Sequence, residues 1–315
     1  MGELTLDRTQ TTSVETILED ELARETRALR GVAPVVAHML ESAGQPLVND
    51  AVVARLRGML NSIAAQLLRG GAPSGQLSLV DSQAVDALVD ALAQDNALLN
   101  HLYALSVEGQ LTLDLERNST IDPVLSPLLQ ELIASDQPEI AELAMTTLAA
   151  QSRFMQSQRR MEHSINELPP ELFANAISAL RKGRSQWGGD DASIDALKSS
   201  YDEAAGRLGL LARLVSSMQS GAVAGLELGH AGTFLFASSL SALSGLSRDL
   251  SVLSCLDRQA TRLAIALRAT GLEDGAIERQ FALIGLRHLL PSALTNISQA
   301  KAQRLLAAHY EGTDR

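Results

Sequence analysis

Between residues 121 and 182 proline recurs at spacings that leave the chain little choice but helices joined by short turns. Asp122-Pro123 and Ser126-Pro127 each set a capping side chain before a proline suited to a first helical turn. Either pair can start a helix through Leu125, Leu128, Leu129, Leu132 and Ile133. Ser135-Asp136-Gln137-Pro138 breaks the run and restarts it as a longer helix, expected to continue past Met161. In that helix Ile140, Leu143, Ala144, Thr147 and Leu148 return to one face, the three- and four-residue spacing of an amphipathic helix. Leu168-Pro169-Pro170 then opens a third helix through Lys182.

The rest of the chain agrees with that pattern. Its apolar residues are mostly Leu, Ala, Val and Ile, and aromatics make up only 3% of the 315 residues, so strand-like alternation of bulky residues is nearly missing. The class expected is all-α. Residues 1–12 read as a flexible N-terminus, with Ser13 as the cap of the first helix. Helices are also expected over about 35–42, from Asn49 or Asp50 to Leu68, from Asp81 or Ser82 to Ala93, over 95–107 and over 109–117. Residues 183–191 carry three glycines and end in Asp190-Asp191, which marks them as a linker between an N-terminal half (13–182) and a C-terminal half (192–310). Within the second half long helices are expected over 192–218 and 222–244, and the junctions Gly245-Leu246 and Gly271-Leu272 suggest a repeated unit.

A net charge of −11 repels phosphate backbones and anionic lipid, so neither nucleic acid nor a membrane surface is an expected partner. No uninterrupted apolar run is long enough to span a bilayer, and the N-terminal residues lack the basic-then-apolar pattern of a secretory signal. The single Cys255 forms no intramolecular disulfide, which fits a reducing cytoplasm.

Catalytic signals are sparse. The six histidines are scattered, and Glu227 with His230 supplies one Glu-x-x-His step where a di-iron bundle needs two such steps and two further glutamates. No phosphate-binding glycine loop or nucleophile elbow is present, and no motif calls for a cofactor or metal. His163 lies close to Arg159, Arg160 and Glu162 at the end of the long helix, where an exposed imidazole flanked by cations could accept a phosphoryl group. The same helix carries Gln151, Arg153, Gln156, Gln158, Arg159 and Arg160, a dense run of long polar side chains suited either to water or to an acidic partner. Trp187 reads as a cover for the seam between halves or as an anchor for a partner. Gly221, Gly225 and Gly229 recur every four residues and suggest close approach of another helix or of a second subunit, leaving a homodimer open. Met218, Phe234 and Phe236 are candidate linings for an apolar pocket between helices.

The helix, Asp-containing turn and helix of the central stretch is similar to a single HEAT-type repeat, with Ala141-Glu142 standing where such repeats commonly carry a basic residue. From about Asp122 onward the helical units resemble an uncharacterised proteobacterial family of HEAT-like proteins. The resemblance implies stacked helical hairpins, in a partly solenoidal array or an irregular bundle, and a cytoplasmic setting; it implies no activity. The expected function is therefore a non-catalytic interaction or regulatory protein with a protein partner. The alternatives are a binder of an apolar small molecule between helices and a phosphotransfer module using His163.

Overall fold

Leucine and alanine at helical spacing, cut by capping residues and proline, give a chain that is 82% helical, with no strand among the described residues. The computed structural model describes residues 4–41, 50–72, 81–183 and 190–310. In chain order the α-helices are α1 (Leu4–Arg30), α2 (Val32–Glu41), α3 (Asp50–Gly71), α4 (Ser82–Leu92), α5 (Asn96–Ser119), α6 (Pro127–Ile133), α7 (Pro138–Arg160), α8 (Pro170–Lys182), α9 (Asp191–Ser199), α10 (Arg207–Ser217), α11 (Leu228–Ser244), α12 (Arg248–Leu253), α13 (Ala260–Ala269), α14 (Asp274–Leu283) and α15 (Gln299–Tyr310). Their contacts group the chain into two interleaved units, rather than the consecutive halves expected around residues 183–191. The first unit comprises Met1–Val32, Gln110–Ala141 and Leu214–Arg315, and the second Ala33–Gly109 and Glu142–Arg213.

The second unit is built on α3. Leu56, Met59, Leu60, Ile63, Ala64 and Leu67 fall at three- and four-residue intervals and all are fully buried. Each of the five larger side chains contributes about 1.5–3 kcal/mol on leaving water. Helices α4, α8 and α9 and the short 3-10 turn Ile165–Glu167 all pack against α3. Between α9 and α10 the expected long helix is broken: Asp202 accepts a hydrogen bond from Ala204 N at 2.9 Å and caps a separate turn, Glu203–Ala205. Tyr201 is held by stacking on Phe173 at 4.2 Å and by donating to Leu168 O at 2.7 Å.

In the first unit α11 and α13 form the centre. All ten residues of α13 are buried, as expected of a helix enclosed on every side. Two arginines, Arg262 and Arg268, are buried with it and must be satisfied internally. Glu25 of α1 accepts from Thr261 N and Arg262 N, both at 2.9 Å, and so caps the N-terminus of α13 with an acid from another helix. Arg262 donates to Thr26 Oγ1 at 2.7 Å and to Gln259 Oε1 at 3.2 Å. Burial raises the Glu25 carboxyl above its ordinary value, against the pull of those backbone donors. Helix α6, only two turns long, lies against α11. A HEAT-type pair would instead set it on the next helix in the chain.

Several boundaries differ from the expected ones for local reasons. α1 begins at Leu4, so Ser13 stands inside a helix and residues 4–12 are helical. α5 is one helix through 96–119 with no break near residue 108. Of the two possible starts in the central stretch, Ser126-Pro127 is used, and Ser126 accepts from Leu129 N. α7 stops at Arg160 because Met161 turns to φ +58. Residues 222–244 are not one helix: Gln219–Leu226 is a 3-10 stretch, and Gly232, at φ 68 and ψ 169, kinks α11 near its start. The glycines are therefore not a single packing stripe. A Cβ on Gly225 would lie 2.7 Å from Ser239 Cβ, whereas on Gly221 or Gly229 it would meet nothing nearer than 3.9 or 3.5 Å. Phe234 and Phe236 are fully buried in the core, and Met218 is half-buried.

Candidate functional site

The long helix α7 has two faces with different work. Gln151, Phe154, Met155 and Gln158 fall at positions i, i+3, i+4 and i+7, and all four are buried in the second unit. Arg153, Gln156, Arg159 and Arg160 point outward and are exposed. The expected polar run is thus split: Gln151 and Gln158 leave it for the interior, while the three arginines and Gln156 remain on the surface.

On the inner side Gln151 meets a buried ion pair. Arg207, the first residue of α10, donates through Nη1 and Nη2 to the two oxygens of Glu108 on α5, at 2.9 and 2.8 Å. Its Nη1 also donates to Gln151 Oε1 at 2.9 Å, and its guanidinium carbon stands 3.7 Å from the centre of the Phe154 ring. The side chains of Arg207 and Glu108 are 3% and 0% exposed. Two parallel bonds, an amide and an aromatic face satisfy a charge that would otherwise be costly to bury. The Arg207 backbone is held too, since its N–H donates to Glu167 Oε2 at 2.6 Å.

The turn after α7 is set by a face of α3. A Cβ on Gly58 would come within 2.6 Å of Met161 O, so the turn reaches α3 only because that residue is glycine. One turn further along, Ser62 Oγ donates to His163 O at 3.2 Å, and after another turn Gln66 Nε2 donates to the same oxygen at 2.7 Å. Gln66 Oε1 in return accepts from Ile165 N at 3.2 Å. Gly58, Ser62 and Gln66 stand four residues apart and so share one side of α3.

This grip carries the His163 side chain inward. The expectation of an exposed imidazole is corrected: His163 is 5% exposed and edges onto His101, with ring centres 6.2 Å apart. Burial, with His101 and Arg207 nearby, pushes its pKa down to about 3, so the ring is neutral at physiological pH. Its Nε2 is buried without a hydrogen-bond partner. A buried neutral ring has neither the access nor the charge environment that phosphoryl transfer between proteins requires.

Around these groups the second unit forms a partly open cavity of about 150 Å³, lined by Leu105, Arg153, Phe154, Ser157, His163, Ser164, Glu167, Arg207 and Leu208. Its walls mix apolar side chains with hydroxyls, an imidazole and charges of both signs, a lining suited to holding a small polar molecule. Sequence reasoning named Arg153 and His163 but missed Glu108, Glu167 and Arg207. Arg207 lies 99 residues from Glu108, and no local pattern links them. The burial of Gln151 and Gln158 did carry a signal: they share the helical spacing of Phe154 and Met155.

The other candidates lie apart from this site. Glu227 accepts from Gln280 Nε2 at 3.0 Å, and His230 pairs with Glu131 at 3.0 Å, so the Glu-x-x-His step is occupied by two separate contacts. Among the described residues no group of three or more His, Cys, Asp or Glu is placed to hold a metal. No helix there is long and apolar enough to cross a membrane. Trp187 lies outside the described residues. Comparison with known protein families, with curated proteins and with solved structures gave no match for this chain.

Proposed function

We propose that this is a non-catalytic interaction protein whose contact surface is the outward face of α7, and that its partner is an acidic protein segment. The observation that carries the reading is the make-up of that face. Met145, Ala149, Arg153, Gln156 and Arg160 succeed one another at three- or four-residue steps, with Arg159 beside them and Met161 just beyond the helix. Met145 and Met161 are 51% and 41% exposed, two of the few large apolar side chains left in water. Arg153, Arg159 and Arg160 make no ion pair with any described residue, although the chain carries a net charge of −11.

Guanidinium groups without an ionic partner among the described residues, beside flexible thioethers, suit a partner that offers carboxylates around an apolar core, because arginine supplies forked donors and methionine adapts to shape. The charges would speed encounter and fix register more than they would add affinity. Cys255 is free and buried, in keeping with the cytoplasm as the setting we propose.

A photo-crosslinking residue at Gln156 tests the reading in extract of the native host. A discrete adduct is expected, and it should be lost in the double variant Arg159→Glu/Arg160→Glu. An adduct that persists unchanged in that variant removes the proposal.

A further inference from the structure

The cavity beside α7 holds two charged groups with bonding capacity to spare, and they are of opposite sign. Arg207 is not counted with them, because the Glu108 carboxylate neutralises its charge and, with Gln151, takes three of its Nη donors. Arg153 lines the cavity and has no ionic partner among the described residues. Glu167 lines it as well and, among the described residues, spends only Oε2, on the Arg207 N–H. Ser157 and Ser164 bring hydroxyls to the same lining, and His163 Nε2 is a buried nitrogen with no partner among the described residues.

Charge decides among ligand classes. A simple anion that reached Arg153 would also face the Glu167 carboxylate, and a simple cation would face Arg153. A wholly apolar molecule would strip water from both without replacing its hydrogen bonds. A small zwitterion answers both charges at once. Size points the same way: a cavity of about 150 Å³ is of the order known to hold one benzene, so the occupant has roughly six to nine non-hydrogen atoms.

We propose that this cavity binds a free α-amino acid with a short aliphatic side chain. Its carboxylate takes Arg153, its ammonium takes the open oxygen of Glu167, and its side chain lies against Leu105, Phe154 and Leu208. This goes beyond the proposed partner surface, with which it shares Arg153, and does not depend on Arg159 or Arg160, which do not line the cavity.

Calorimetric titration of the full chain with L-alanine, L-valine and L-leucine tests it. Saturable binding of at least one, with one site per chain, is expected. For valine the two half-ligands isovalerate and isobutylamine should each bind about tenfold more weakly or worse, the loss of one charge-assisted contact. Arg153→Met should weaken amino-acid binding by a similar factor and leave the melting temperature unchanged, since that side chain has no ionic partner to lose. The proposal is overturned if none of the three amino acids binds, if isovalerate binds as tightly as valine, or if Arg153→Met binds as the natural chain does.

Discussion

Replacing Glu108 by alanine should be among the most damaging single changes in the second unit. The substitution leaves the Arg207 guanidinium buried, with a side chain 3% exposed and no carboxylate. Two charge-assisted bonds of 2.9 and 2.8 Å disappear, while the Gln151 contact and the Phe154 ring remain. Breaking a buried pair from one side costs about 3–5 kcal/mol. The surviving amide bond and ring face, the latter contributing up to about 2 kcal/mol when desolvated, place the loss at the lower end, about 3 kcal/mol. With a urea dependence of about 3 kcal/mol per molar, the unfolding midpoint should fall by about 1 M. Urea titration followed by far-ultraviolet ellipticity reads this directly. The double variant Glu108→Leu/Arg207→Met removes both charges together and should recover most of the loss, because the cost lies in the stranded charge and not in the absent pair. A Glu108→Ala loss below about 1 kcal/mol, or a double variant no better than the single one, would refute that account.

Other contacts set outcomes of their own. Gly58→Ala should destabilise the chain by about 2 kcal/mol in thermal unfolding, since its Cβ meets Met161 O at 2.6 Å and backbone must move. Gly225→Ala should also destabilise, by collision with Ser239, while Gly221→Ala should be neutral or raise stability by up to about 0.5 kcal/mol; equal effects would contradict the assignment of a single close approach. His163 titrates near 6.5 when unfolded and near 3 when folded, so the unfolded state binds the extra proton between those values and stability falls as pH drops from 6.5 toward 3. His163→Leu should therefore lose less stability between pH 7 and pH 4.5 than the natural chain, whatever its stability at pH 7, and parallel curves would contradict the burial of that ring. The Cys255 thiol, which burial pushes up to about 12, should resist an aromatic disulfide reagent in the native protein and react fully in denaturant.

Much of the architecture was legible because helix signals are local. Proline after a capping residue marked two possible starts for α6, of which Ser126-Pro127 is used, and the Leu and Ala spacing marked the class. What escaped depends on distant partners or on single backbone angles. The polar neighbours Arg159, Arg160 and Glu162 made His163 look solvated, yet the positive φ at Met161 turns the chain inward, and its acceptance depends on Gly58 about a hundred residues earlier. The four-residue glycine spacing suggested one continuous stripe, but a 3-10 stretch and the Gly232 kink put those glycines on different elements. Glu108 and Arg207 carry no local signal in the sequence; only the fold sets them together. Gln151 and Gln158 could have been placed from their spacing against Phe154 and Met155, had period been weighed above polarity.

The partner-binding role proposed for α7 can be tested through its own methionines. In the purified protein mild peroxide should oxidise Met145 and Met161, at 51% and 41% exposure, and spare Met59 and Met155, at 0% and 3%. Mass spectrometry after the same treatment in extract of the native host should show Met145 and Met161 protected, with protection lost in Arg159→Glu/Arg160→Glu. Oxidation of both at the purified-protein rate in extract would contradict a partner on this face.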